Sequence, residues 1–168
     1  PPAEPHRLAY AEGGQYPDYA TIFKQIVRGM IKLGWLEQID LKKDFGGDHK
    51  ALWEYLADNA KSEHVTFVRE AYFAPGDFDE DKRAETKAAM IDYLDNNDMD
   101  MVFAMGTWAG QDLGNAEVDT PTVVASSSDP VGSGIVESAK DSRFRHMHAK
   151  VEPERYARQV ELFHDIVA

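Results

Sequence analysis

The sequence predicts an α/β fold, a doubly wound open parallel sheet. Short apolar segments alternate with segments whose apolar residues recur every three or four positions, as expected when strands and helices alternate. The run at 99–105 is almost wholly apolar, which is typical of a central strand covered on both faces. Polar and glycine-rich stretches follow the predicted strands, as at the ligand-facing edge of such a sheet.

The first half of the chain supplies two predicted strands. Residues 7–11 are predicted to form the first, and the Gly- and Pro-containing residues 12–18 a loop. A helix is predicted over 19–36 from its apolar spacing, with Asp18 as its N-cap. A second helical face spans 52–60, and a strand is predicted over 64–71.

The central part of the chain continues the alternation. An Ala-rich helix is predicted over 79–94, because its first residues are acidic and suit the positive end of the helix dipole. The buried strand at 99–105 is followed by a predicted loop that turns into a helix within 106–113. Thr107 is the candidate N-cap of that helix.

The last third predicts a strand at 120–125 and a weak short helix, for which Asp129 is the candidate N-cap and Pro130 the first residue. An alternating strand is predicted at 146–151, and an amphipathic helix at 153–167. The strands and their intervening helices favour one α/β unit.

Composition excludes several classes of function. The 168 residues suit a single globular domain, and a net charge of −12 gives no basic surface for nucleic acid or anionic membrane. No stretch approaches the roughly 18 apolar residues of a membrane span. The absence of cysteine removes thiol chemistry and disulfides. The Pro-rich residues 1–6 are predicted to be a leader or linker that follows a processing site or lipid tether.

Three predicted strand-end loops carry the candidate ligand-binding residues. Because the carboxyl ends of parallel strands share one edge of the sheet, we expect these loops to converge there. Each loop also has a purely structural interpretation as a tight turn, a helix start or a packed core edge. The three consecutive serines are the residues that helix-start chemistry leaves unexplained. The candidates are Glu12, Gly13, Gln15, Tyr16, Gly106, Thr107, Trp108, Ala109, Ser126, Ser127, Ser128 and Asp129.

The chemistry expected of these loops is binding. N–H groups at 107–109 and 127–128 are predicted to take a carboxylate, and the serine hydroxyls to add hydrogen bonds. Asp129 or Glu12 is the candidate partner of a ligand ammonium. Trp108 is placed to form an aromatic wall.

No catalytic, cofactor or metal site is predicted. The stretch at 131–134 lacks the spacing of a nucleophile elbow and of a phosphate or dinucleotide loop. His146 and His148 have the spacing of metal ligands on one strand face, but no motif ties a third ligand to them. The sequence therefore favours a protein that is not an enzyme.

The segments 105–113, 120–124 and 128–136 together resemble the ABC transporter substrate-binding protein family. The resemblance implies one lobe of a periplasmic-binding-protein-like fold, periplasmic or extracellular and possibly lipid-anchored. It implies capture of a small solute, possibly an amino acid or similar zwitterion, and delivery to a membrane permease. By this resemblance 106–109 and 127–130 form one wall of the cleft, with 12–16 at its end.

The same resemblance implies a division of the chain. Residues 7–145 are the N-terminal lobe, and 146–168 are the hinge strand and first helix of a second lobe that the chain lacks. A fragment or an exchanged homodimer is therefore expected. Two other functions stay open: a ligand-sensing domain of a signalling protein, and an α/β hydrolase that uses Asp129 with a serine.

Overall fold

The computed structural model describes residues 3–151. In chain order the elements are β1 (His6–Glu12), α1 (Pro17–Lys32), α2 (His49–Asn59), β2 (Val65–Phe73), α3 (Glu80–Asn96), β3 (Met101–Met105), α4 (Gly106–Leu113), β4 (Thr122–Ala125) and β5 (Met147–Ala149). Within these residues no helix has the length and apolar character needed to cross a bilayer.

The described strands form one parallel sheet in the order β2-β1-β3-β4-β5. This confirms the predicted α/β class with an open, doubly wound sheet. The strand order reverses between β1 and β3, which are neighbours in the sheet although β2 lies between them in the chain. A crevice at the carboxyl ends of strands is expected at such a point.

Apolar residues cover the sheet on both faces. On one face α1 and α2 enclose an aromatic core in which Trp53 and Phe23 are almost completely buried. On the other face α3 and α4 pack residues such as Met90 and Leu113 against the sheet. Burial of a large side chain of this kind contributes about 1.5–3 kcal/mol. Both faces of β3 are covered as predicted, since Val102 and Phe103 point into opposite cores.

The first helix differs from its prediction at both ends. It begins at Pro17 with Tyr16 as N-cap, so the assignment of Asp18 as N-cap was wrong. Proline lacks an N–H and has a φ that suits the first helical position, which places Asp18 in the first turn. The helix ends at Lys32 because Gly34 follows with a φ of +76°, a left-handed conformation that a helix cannot continue through.

Strand β3 passes directly into α4, and the predicted intervening loop is absent there. The N-cap is Met105, which makes no side-chain cap bond, so Thr107 does not cap the helix as predicted. Gly106 makes the sharp change of direction with a φ of +85°. Thr107 therefore lies inside the first turn, and its hydroxyl is 3.3 Å from that of Ser127.

The short helix predicted at Pro130 does not form; residues 130–134 are consecutive turns. The Asp129 carboxylate accepts a bond from the Gly132 N–H at 2.8 Å, as an N-cap would. The helix does not continue, because Gly132 and Gly134 favour turns and Gly134 has a φ of +73°. Strand β5 is shorter than the predicted 146–151, and the helix predicted at 153–167 lies outside the described residues.

Candidate ligand-binding cleft

A cleft of about 500 Å³ opens at the carboxyl edge of the sheet, beside the ends of β3 and β4. Six of the predicted site residues line it: Tyr16, Thr107, Trp108, Ser126, Ser127 and Ser128. The sequence reasoning missed four other lining residues: Asp18, Tyr19, Ile22 and Phe78. The structure thus brings parts of the three predicted loops together. That these residues bind a ligand stays a prediction.

A pair of hydroxyl groups joins two of the loops. Thr107 Oγ1 and Ser127 Oγ are 3.3 Å apart, although 20 residues separate them in sequence. Thr107 lies in the first turn of α4, where backbone N–H groups have no partner within the helix and the dipole favours a negative charge. Hydroxyls and free N–H groups at one place can together receive a carboxylate.

The serine loop begins with an unusual backbone conformation. Ser126 has a φ of +62°, in the left-handed region that non-glycine residues seldom adopt. The residue follows β4 directly and turns the chain so that Ser127 faces Thr107. Such a conformation costs of order 1 kcal/mol and is concentrated at functional sites, so it supports a role for this loop.

An aromatic wall stands on the other side of the cleft. The rings of Phe78 and Trp108 meet edge to face, with centroids 5.4 Å apart. The Phe78 N–H donates to the Gly13 carbonyl at 2.9 Å, which fixes the loop after β2 against the loop after β1. No sequence pattern predicts Phe78 as a site residue, because it lies within an acidic run that is typical of a solvated helix start.

The glycines of the first loop allow close packing between these loops. A Cβ on Gly13 would lie 2.8 Å from Trp108 Cβ, and one on Gly14 would lie 2.6 Å from the Phe78 backbone nitrogen. Both glycines are buried. Their small size is therefore explained by Phe78 and Trp108, and the exposed Gln15 does not line the cleft.

Glu12 lies inside the protein, at the end of β1, and does not line the cleft. Its Oε2 is 2.5 Å from His49 Nδ1 and accepts a bond from the Tyr10 hydroxyl at 3.3 Å. The Tyr72 hydroxyl donates to its other oxygen. The Glu12 carboxylate thus has internal partners on three sides. We call Glu12, His49, Tyr10 and Tyr72 the Glu12 cluster.

Burial in the Glu12 cluster changes the acidity of its tyrosines. Burial raises the pKa of both Tyr10 and Tyr72 far above the ordinary value of 10.0, and the neighbouring Glu12 charge raises it further. Burial, and then Glu12, also raise the pKa of Tyr19 to about 12. An ionised tyrosine beside the Glu12 carboxylate would be doubly unfavourable.

This predicts a loss of stability in alkali. Because the pKa of Tyr10 is raised in the folded state, the unfolded chain releases that proton first, so the stabilisation is complete below about pH 10 and falls as the pH rises above it. For this group the free energy of unfolding should fall by about 1.4 kcal/mol per pH unit. Urea unfolding at several pH values above 10 measures this dependence. In Tyr10→Phe the free energy of unfolding should fall less steeply with pH, by that amount. Equal slopes in the two proteins would contradict the prediction.

The remaining predicted site residues lie beside the cleft. Gly106 and Ala109 are buried in the first turn of α4, and the Asp129 carboxylate accepts a hydrogen bond from the Gly132 N–H.

An adjoining groove of about 560 Å³ shares Ile22 and the three serines with the cleft and runs along β4 and β5 beneath α1. Its lining is mainly apolar and includes His148.

The two histidines with metal-ligand spacing do not share a site. The buried His146 ring contacts the Leu113 carbonyl at 2.8 Å through Nε2, whereas His148 is exposed beside the adjoining groove. Within residues 3–151, no group of three His, Asp or Glu side chains is arranged to hold a metal ion.

Comparison with known proteins identifies the fold. No family model matches the chain, and no curated protein is similar to it in sequence. Solved structures do match. An ABC domain in complex with L-Trp from Streptococcus pneumoniae is 19% identical, with a TM-score of 0.54 over 87% of this chain and 38% of its own.

Two further structures have the same fold. A conserved domain protein from Vibrio cholerae is 14% identical, with a TM-score of 0.55 over 98% of this chain and 44% of its own. A ligand-free, open substrate-binding protein with adhesive properties from Clostridium difficile is 17% identical, with a TM-score of 0.51 over 94% of this chain and 43% of its own. The chain therefore has the fold of part of these structures and spans 38–44% of their length.

Proposed function

We propose that the chain supplies one wall of the ligand cleft of a substrate-binding protein, with a small zwitterion such as an amino acid as its ligand. The observation that carries the proposal is the Thr107–Ser127 hydroxyl pair at the first turn of α4, beside the Trp108 ring. Hydroxyls, free N–H groups and an aromatic surface suit a carboxylate and an apolar side chain. The role we propose is binding without a chemical reaction. A serine nucleophile is activated by a neighbouring general base, whereas the neighbour of the Ser127 hydroxyl is the Thr107 hydroxyl.

The ligand ammonium needs an acceptor, and Asp18 is the acceptor we propose. Asp18 lines the cleft and is exposed, so its carboxylate is available. Glu12 and Asp129, the two candidates from sequence, already have internal partners. A charged hydrogen bond to Asp18 would also fix the orientation of the ligand between Asp18 and Thr107.

The structural neighbours and the resemblance of the sequence support a wider role. One neighbour is described as a substrate-binding protein and another as an ABC domain with L-Trp. Uptake of a solute through a membrane permease, at a periplasmic or extracellular location, is the corresponding role that we propose for this protein.

Titration of the ¹⁵N-labelled 168-residue chain tests the binding role. L-Tryptophan, L-alanine and the other standard amino acids are the probes, and one or more of them should shift the amide signals of Thr107, Trp108 and Ser127. Amide signals at the opposite end of the sheet, such as that of Trp35, should not move. If every probe leaves the cleft signals unchanged, binding of an amino acid by this wall of the cleft is excluded.

The hydroxyl pair provides a test by mutation. Thr107→Val with Ser127→Ala removes both hydroxyls and keeps similar shapes, and each lost bond to a carboxylate costs about 1 kcal/mol or more. We therefore expect affinity for the best amino-acid probe to fall by about 10-fold or more. Ser138→Ala, which removes a hydroxyl from a distant surface turn, is the control. Unchanged affinity in the double variant would make the pair purely structural.

A further inference from the structure

The guanidinium of Arg83 lies over the Trp108 ring of the aromatic wall. Arg83 belongs to α3, and the carbon at the centre of its guanidinium lies 4.3 Å from the centre of the Trp108 ring. The ring edge-to-face contact with Phe78 and the close approach of Gly13 restrict Trp108 further. Trp108 is thus held by three separate parts of the chain, although it lines an open cleft.

Arg83 itself is held firmly. Its Nε and Nη2 bind both oxygens of Asp112 at 2.9–3.1 Å, and Nη2 also donates to the Gln111 side chain at 3.0 Å. The Arg83 and Asp112 side chains are 26% and 18% exposed, so water screens the pair only in part. A planar guanidinium held in two directions is a rigid support for a ring, which a lysine could not replace.

The same network reaches the segment that follows the serines. Gln111, which accepts from Arg83, donates to the Ser133 carbonyl at 3.0 Å. Ser133 lies in the run of turns that begins after Asp129. Arg83 therefore connects the aromatic wall of the cleft with the serine side, and it does so from outside the cleft.

We propose that Arg83 is a positioning residue of the cleft: it acts on the ligand through Trp108, by holding that ring as a fixed wall, and through Gln111. This inference rests on the proposed function for its effect on binding. Its effect on the ring is independent of any ligand. The Arg83 guanidinium occupies one face of the Trp108 ring. The other face should therefore prefer neutral or anionic groups of a ligand, because a second cation there would be repelled.

Fluorine NMR of the chain labelled with 5-fluorotryptophan tests the effect on the ring. The three tryptophans give three signals, and Trp108→Phe identifies that of Trp108. In Arg83→Met, which keeps the apolar stem, the Trp108 signal should move and broaden while those of Trp35 and Trp53 stay in place. Arg83→Lys should give a change between those of the original chain and Arg83→Met, because an ammonium can still attract the ring but lacks the planar fork that binds Asp112. An unmoved Trp108 signal would overturn the proposal.

Arg69→Met is the matched control. Arg69 also binds two carboxylates, Glu54 and Asp58, but lies away from the cleft. It should leave the Trp108 signal unchanged. A change equal to that in Arg83→Met would show a general effect of losing a paired arginine and would overturn the proposal.

Calorimetric titration with L-tryptophan forms the second part of the test. We expect Arg83→Met to weaken binding about 5-fold, the loss expected when one ring must be ordered on binding. Weakened binding with an unmoved Trp108 signal would contradict positioning through that ring. If the unchanged chain binds none of the amino-acid probes, the proposed function fails, and the fluorine signals still decide whether Arg83 holds Trp108.

Discussion

Glu12→Ala is expected to lower the free energy of unfolding by about 3–5 kcal/mol, because it removes the shared acceptor of several buried polar groups. The carboxylate is 1% exposed and joins His49 to Tyr10 and Tyr72. Alanine would leave these polar groups without their shared acceptor in the buried interior of the protein. Urea unfolding at pH 7, followed by circular dichroism, measures the loss.

The controls separate burial from charge. Asp58→Ala removes a carboxylate from a surface pair with Arg69 and should cost less than about 1 kcal/mol. Glu12→Gln keeps one acceptor oxygen and should fall between the two. A cost for Glu12→Ala as small as that for Asp58→Ala would show that the Glu12 cluster does not stabilise the fold.

Gly106→Ala is expected to cost about 2–4 kcal/mol. The φ of +85° is unfavourable for alanine, and its Cβ would overlap the Tyr19 hydroxyl and lie 2.5 Å from Tyr19 Cζ. Because Gly106 joins β3 to α4, the displacement would also reach Thr107 and the cleft. Thermal and urea unfolding measure the first effect, and the amide shifts of Thr107 and Trp108 the second.

Gly29→Ala is the matched control. Gly29 lies within α1, and a Cβ there would meet nothing within 4 Å. Alanine should therefore stabilise the helix by up to about 1 kcal/mol. The expected effects of the two glycine replacements have opposite signs. A Gly106→Ala protein as stable as the original would show that neither the backbone conformation nor the contact with Tyr19 matters.

Much of the fold could be predicted from local sequence patterns. The apolar run around Val102 and Phe103 indicated a central strand, and that strand does lie at the middle of the sheet with cover on both faces. Thr107, Trp108 and the serines follow strand ends, so the geometry of a parallel sheet was enough to bring them to one edge. Helix ends were predicted less well, because Pro17 and Gly34 decide them through backbone conformation.

The rest depended on contacts between distant parts of the chain. Glu12 reads as an exposed loop carboxylate until His49 and Tyr72, 37 and 60 residues away, are placed around it. Phe78 enters the cleft because the loop after β2 bends back to Gly13. Neither pairing has a local signal, since the partners share no motif or periodicity.

The two sides of the cleft differ in how they are joined to the sheet. Met105 ends β3 and Gly106 begins α4, so Thr107 and Trp108 keep the direction that the central strand imposes. The serines instead begin a long stretch without helix or strand, which continues to Met147. A ligand would therefore meet one side that loses little conformational entropy and one that can adapt. Tolerance toward ligands of different size would then reside in the serine loop, and discrimination by charge and shape in the strand-fixed side.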